Sequence, residues 1–278
     1  MSLRQVDTAL YVVGTVVCLA ALATLWVRGR DPLRGAFIRL HRLDWAAVVF
    51  VILAYVAAAS IAGGVAGGLL EEEADEGLAE DIILACINAA SFGAAGAACL
   101  WLAWRRFRAR WRGFGLTLRR FGPDLAWAVL TTLALWPVAA GLLWLSERAV
   151  RYWPGEEYLQ DHRVIGSLEN PALPDWAAVL LIITAVAVAP AAEEFFFRGV
   201  LQTKLKSTLK SRWAALALAG VCFGLVHSGQ VAAIVPLMFM GMVLGFVYEA
   251  TGSLIAPLLI HSLFNAKSLI WYYLSNAT

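Results

Sequence analysis

The chain has 278 residues, of which 61% are hydrophobic and only 15% charged, and its mean hydropathy is +0.72. Such a composition excludes a soluble globular domain and points to an all-α, polytopic membrane protein. The formal charge of +2 comes with no convincing basic patch for a polynucleotide, so membrane lipid is an expected partner and nucleic acid is not.

Eight apolar segments follow one another, at about 8–27, 45–70, 82–104, 124–145, 176–203, 212–228, 231–249 and 253–274, and predict a bundle of about eight transmembrane helices. The first follows a seven-residue start whose one basic residue is Arg4, which favours a retained helix over a cleaved signal peptide. Cys18, Cys86, Cys99 and Cys222 all lie inside apolar runs without ligand-like spacing and read as small buried residues. Charge alternates between the loops. Five arginines lie between Arg28 and Arg42, seven between Arg105 and Arg120, and four basic residues between Lys204 and Arg212, whereas Glu71 to Asp81 holds seven acidic residues and no basic one. The stretch from Glu147 to Asp175 is mixed. Under the positive-inside rule the basic loops are cytoplasmic and both termini are non-cytoplasmic. With Trp104 and Trp111, the Arg105–Arg120 stretch also reads as an interfacial helix on the headgroups. The acidic run reads as a solvated outer loop, since it lacks the glycine-punctuated spacing of a calcium loop. The simplest organisation is 1–123 as N-terminal transmembrane helices with an arginine-rich cytoplasmic segment, and 124–278 as a membrane core.

Glycines recur at four-residue spacing: Gly63/Gly67, Gly64/Gly68, Gly220/Gly224 and Gly241/Gly245. This spacing lets helix backbones approach closely, here within the bundle rather than between copies.

Polar residues inside the apolar segments carry the functional signal. Glu193 and Glu194 close a long apolar run, where a centrally placed Asp, Lys or Arg costs ~2.5–3.5 kcal/mol and Glu should cost a similar amount. Glu194/Arg198, Phe223/His227 and His261/Asn265 are each four residues apart, which puts each pair on one helix face. Glu194 and Arg198 neutralise each other. Glu193 points ~100° away around the helix, so another group must justify its burial, and His227 and His261 are the candidates; His41 and His162 fall in loops. Pro190 and Pro257 predict kinks that leave the Val186 and Ser253 carbonyls without helical partners. Counted along the helices at ~1.5 Å per residue, Glu193 and His261 lie ~14–16 Å deep but His227 ~22 Å, a gap for helix tilt or a later start of the sixth helix to absorb.

A carboxylate and an imidazole on one water form a general-base pair, and a second His with an Asn amide can donate to an oxyanion. The same Glu193, His227 and His261 equally supply the ligand set of a catalytic zinc site. With no HExxH, the sequence does not choose between a metal-activated and a carboxylate-activated water. Non-enzymatic readings use the same cavity: a membrane scaffold or immunity protein that binds a partner there. A proton-coupled transporter is disfavoured by the lack of paired, broken half-helices.

In these residues the chain resembles the CAAX prenyl protease and bacteriocin-processing (CPBP) family of intramembrane proteases, also called the ABI or type II CAAX protease family. The resemblance rests on Glu193-Glu194-Phe195-Phe196-Phe197-Arg198, Phe223-Gly224-Leu225-Val226-His227 and His261-Ser262-Leu263-Phe264-Asn265, in order and without substitution. It covers residues 176 to 275. It implies hydrolysis of a peptide bond in a peptide or membrane-protein substrate, lipidated in eukaryotic members. It also implies Glu193 and His227 as water activators, His261 and Asn265 as oxyanion donors, Glu194, Arg198 and Phe223 as supporting residues, and either one divalent metal such as zinc or none. Bacteriocin self-immunity is the family's other implied role.

Overall fold

The computed structural model describes residues 3–28, 31–33, 39–69, 76–152 and 163–276. Among them the regular structure is helical: α1 (Leu3–Arg28), α2 (Trp45–Leu69), α3 (Glu76–Arg106), the short α4 (Arg110–Phe114), α5 (Phe121–Tyr152), the short α6 (Arg163–Glu169), α7 (Asp175–Leu209), α8 (Arg212–Leu225), α9 (Ile234–Thr251) and α10 (Ile255–Asn276). The expected all-α membrane architecture is what forms.

The spans differ from the sequence expectation in number. Among the described residues, six helices are long and apolar enough to cross a membrane: Gln5–Thr24, Trp45–Leu69, Gly77–Arg106, Leu118–Tyr152, Asp175–Leu209 and Val231–Thr251. The other two expected segments are also helical. However, α8 has only 14 residues, ~21 Å of helix against a hydrocarbon core of ~30 Å. The 22-residue α10 carries His261, Asn265 and Lys267, which dilute its apolar character. α3 begins at Glu76, taking Glu80 and Asp81 out of the expected acidic loop and into helix. Residues 71–75 of that run, and His162, lie outside the described residues.

The chain forms two compact units, each assembled from separate stretches. One comprises Leu40–Phe114 and Asp161–Lys204. In it α2 and α3 pack through Phe50 on Trp101 and Tyr55 on Phe92, each pair with ring centroids 5.4 Å apart. Ala85, Ala177 and Leu181 form a small buried cluster. Gly96 of α3 lies where a Cβ would stand 3.7 Å from that of Ala192 on α7. Asp81 accepts a hydrogen bond from Asn170 Nδ2 at 2.8 Å. A one-residue antiparallel bridge pairs His41 with Phe107.

The second unit comprises Met1–Arg39, Gly115–Gln160 and Leu205–Thr278. Its core is Ala128 and Leu135 of α5, Met240, Leu244 and Val247 of α9, and Ala256 and Ile260 of α10. Three of the glycines at four-residue spacing act as expected: a Cβ on Gly220 or Gly224 would strike Met242 or Met238, and one on Gly241 would stand 2.9 Å from Gly220 Cα. These glycines let α8 and α9 approach backbone to backbone. In the first unit, Gly64 and Gly68 have nothing within 4 Å. The α9–α10 turn uses Gly252 at φ 69°, donating to Tyr248 O at 3.1 Å, a left-handed helix stop that glycine adopts without strain. Ser253 then caps α10, accepting from Ile255 N at 3.1 Å and donating to the buried Asp124 at 2.6 Å.

This turn corrects one expectation. Pro257 falls in the first turn of α10, where a missing N–H costs nothing, and the Ser253 carbonyl accepts from Thr251 Oγ1 at 3.3 Å. No kink follows from it.

Candidate functional site

The expected site residues divide between the two units: Glu193, Glu194 and Arg198 in one, Phe223, His227, His261 and Asn265 in the other. α7 begins with Asp175 in its first turn, a charge that suits the positive end of the helix dipole. It then widens twice, into π-helical turns at Thr184–Val188 and Phe195–Gln202. The first ends with Ala189 N–H donating to Thr184 O, five residues back, immediately before Pro190. The helix thus meets a residue lacking an N–H in a turn whose register has already shifted. The second starts at the residue after Glu194. Such turns expose carbonyls to partners off the regular ladder, and Thr203 Oγ1 donates to Arg198 O at 3.0 Å.

Glu194 and Arg198 are fully buried and paired side-on, Nε to Oε2 at 2.9 Å and Nη2 to Oε1 at 3.4 Å. Two charges hidden from water cost several kcal/mol each, offset only by this kind of bidentate geometry. Glu193 is half-buried. Beside the pair, Phe114 is entirely buried and its ring lies 6.1 Å from that of Phe195. A Cβ on Gly199 would collide with the Phe114 ring.

In the other unit Phe223, fully buried near the end of α8, is the organising ring. His227 lies 5.1 Å from it and His261 5.5 Å, centroid to centroid, the latter edge-on at 74°. His261 is buried in α10, and Asn265 is half-buried one turn later. His227 is not on the helix, as its spacing suggested. α8, capped at Arg212 by Ser211, stops at Leu225, and His227 lies in the turns that follow, so no later start accounts for its depth. The four-residue spacing still has a purpose: His227 Nδ1 donates to Phe223 O at 2.8 Å, satisfying a terminal carbonyl of α8. With Nδ1 holding the proton, neutral His227 presents a bare Nε2, the form that accepts a proton or ligates a metal. Within either unit, no three His, Cys, Asp or Glu side chains of the described residues group closely enough to hold a metal ion.

Sequence reasoning missed several contributors. Gln202, the last residue of the second widened turn, and Thr203, the residue after it, are buried and polar, and the polar pair closing an apolar run was a readable signal. Phe114 and Gly199 were not readable, being 85 residues apart in the sequence (199 − 114).

Residues 175–267 match the family model described as type II CAAX prenyl endopeptidase Rce1-like, about a third of the chain, and the match encloses every motif residue from Glu193 to Asn265. No curated protein and no solved structure matches.

Proposed function

Starting from a chain that carries an Rce1-like type II CAAX prenyl endopeptidase domain at 175–267, in a family of intramembrane proteases, we propose that Glu193 and His227 activate the water that cleaves a peptide bond. The observation that carries this is that the family match encloses all three motifs in order. Glu193 takes a proton from the water while Nε2 of His227 holds the water in line, and the nascent hydroxide attacks the scissile carbonyl carbon. His261 and the Asn265 amide donate to the resulting oxyanion, each donor of this kind being worth ~2.7–4 kcal/mol of transition-state stabilisation. Collapse breaks the C–N bond, and Glu193 returns its proton to the departing amine.

Glu194 and Arg198 brace α7 around Glu193, and Phe223 sets the spacing of the two imidazoles. Were a divalent metal bound, Glu193, His227 and His261 would be the residues to hold it, and it would supply Lewis-acid polarisation. The bare Nε2 of His227, with Nδ1 anchored on a carbonyl, fits that role.

The protein is an integral, multi-pass membrane protein of a protease family, so its substrate is a peptide or protein met in the bilayer. Lipidation of the substrate is a property of the family's eukaryotic members and does not by itself follow for this chain. In this reading 124–278 is the catalytic core and 1–123 its flanking helices. The arginine-rich loops face the cytoplasm and both termini lie outside.

Cleavage of a membrane-anchored or lipidated peptide by reconstituted wild type and E193Q tests the proposal. E193Q is expected to lose activity by at least about 100-fold with an unchanged unfolding temperature. Equal cleavage by both proteins removes Glu193 from the mechanism. Metal analysis of the same preparation, with and without chelator, reads out metal dependence.

A further inference from the structure

The segment 104–114 is two-faced. It starts in the last residues of the membrane-spanning length of α3, Gly77–Arg106, and runs on past its end, which places it at a bilayer edge. Outward it shows Trp104 and Trp111, 45% and 44% exposed, with exposed Arg108, Arg110 and Arg112 between and beside them. From Arg105 to Arg120 there are seven arginines and no carboxylate. The outer face is ordered. The two indoles stand edge to face at 6.2 Å, and the Arg110 guanidinium lies 3.9 Å over the Trp104 ring, held there by an Arg110 backbone at φ 51°. Arg106 turns back instead, pairing with Asp44 at 3.6 Å. Backbone bonds from Arg42 N to Arg106 O at 2.7 Å and from Arg108 N to Leu40 O at 3.0 Å fix the base of the segment.

Inward it shows Phe107 and Phe114, 4% and 0% exposed and in edge contact at 5.2 Å. Phe114 fills the space over Gly199 and meets Phe195. Phe195 follows Glu194 and Gly199 follows Arg198, so one ring abuts the chain next to both members of the buried ion pair.

The geometry points to this segment as a binding site for anionic phospholipid headgroups, with Phe114 as the wedge through which an occupied site steadies the Glu193–Arg198 turn. Arginine matches phosphate oxygens in a bidentate fork, and tryptophans at this level anchor at the headgroup boundary. A neutral bilayer engages the indoles alone; an anionic leaflet engages both. Only the consequence for catalysis rests on the endopeptidase reading.

The test uses the full chain in nanodiscs of phosphatidylcholine, with and without phosphatidylglycerol, comparing wild type, R108Q/R110Q/R112Q and R148Q. Arg148 is an exposed arginine outside the segment that also lies over an indole, Trp144, and serves as the matched control. Native mass spectrometry of retained lipid should show that wild type and R148Q prefer phosphatidylglycerol, with a loss of about ten-fold or more of that preference in the triple variant. Undiminished preference in the triple variant overturns the site. Equal competition by soluble glycerol phosphate overturns a membrane headgroup as its occupant. Hydrogen exchange over residues 189–203 should slow on adding phosphatidylglycerol in wild type and not in F114L. No slowing in wild type overturns the wedge. Neither readout needs proteolysis, so either can fail while E193Q still abolishes cleavage.

Discussion

Two buried carboxylates, one in each unit, are neutralised in opposite ways. Glu194 pairs with a cation four residues along its own helix, and both side chains are 0% exposed. Glu249, 1% exposed at the end of α9, takes two from far away: Lys206 Nζ at 2.6 Å and Arg39 Nη1 at 3.5 Å, the latter 210 residues distant. Arg39 also donates to Tyr248 O at 3.1 Å and lies 3.6 Å over the Tyr248 ring. The first pair forms as soon as its helix does, because its members stand one turn apart. The second forms only when the tertiary structure is complete, and it staples the chain at Arg39 to the end of α9. Its cations also keep more water, Lys206 being 20% exposed. The difference teaches that a dry local pair shapes a site, whereas a wetter long-range cluster joins elements.

The largest effect should come from breaking the dry pair. R198M removes the side-on counter-charge of buried Glu194 and should cost about 3–5 kcal/mol in reversible unfolding, while E194M/R198M recovers much of that and stays inactive. A double variant no more stable than the single would mean that uncompensated charge is not the cost. Next comes G199A, which pushes a methyl group into the Phe114 ring and should cost about 1–3 kcal/mol by thermal unfolding; an unaffected variant would show that α7 can shift beneath Phe114. E249Q should lose only about 1–2 kcal/mol, because Lys206 reaches water, and proteolysis near Arg39 should accelerate as the staple loosens. If E249Q costs as much as R198M, the contrast between dry and wet clusters fails. Smallest should be D7N. The Asp7–Lys267 pair is open, at 3.4 Å with side chains 31% and 16% exposed, and should contribute about 0–1 kcal/mol. The Lys267 ammonium, 3.1 Å from the Trp136 centroid and 4.2 Å from that of Trp271, keeps its aromatic contacts in that variant.

The apolar runs, the helical class and the three motif pairs were legible in the residues, since each depends on neighbours within about one turn. The close approach of α8 and α9 was legible for the same reason, in Gly220 and Gly224. Less legible was where helices end. The run 212–228 reads as one apolar segment, yet α8 stops at Leu225 and His227 serves its end from the turn beyond. Hydropathy blurs that stop, because Val226 carries the apolar run one residue past it before His227, Ser228, Gly229 and Gln230 follow. Pro257 misled for a related reason: the same residue kinks a helix interior and suits a first turn, and the start of α10 was set by Ser253 and its bond to Asp124.

By itself the sequence determined that the chain is a helical membrane protein and that Glu193, Glu194, Arg198, Phe223, His227, His261 and Asn265 are its anomalous polar residues, because transfer cost and helical spacing are local properties. The tertiary structure alone decided that one ring, Phe223, separates two imidazoles, that Phe114 occupies the room glycine leaves at 199, and that Glu249 is neutralised from 210 residues away. Those are contacts between distant stretches, fixed by how helices pack and carried by no short run of residues.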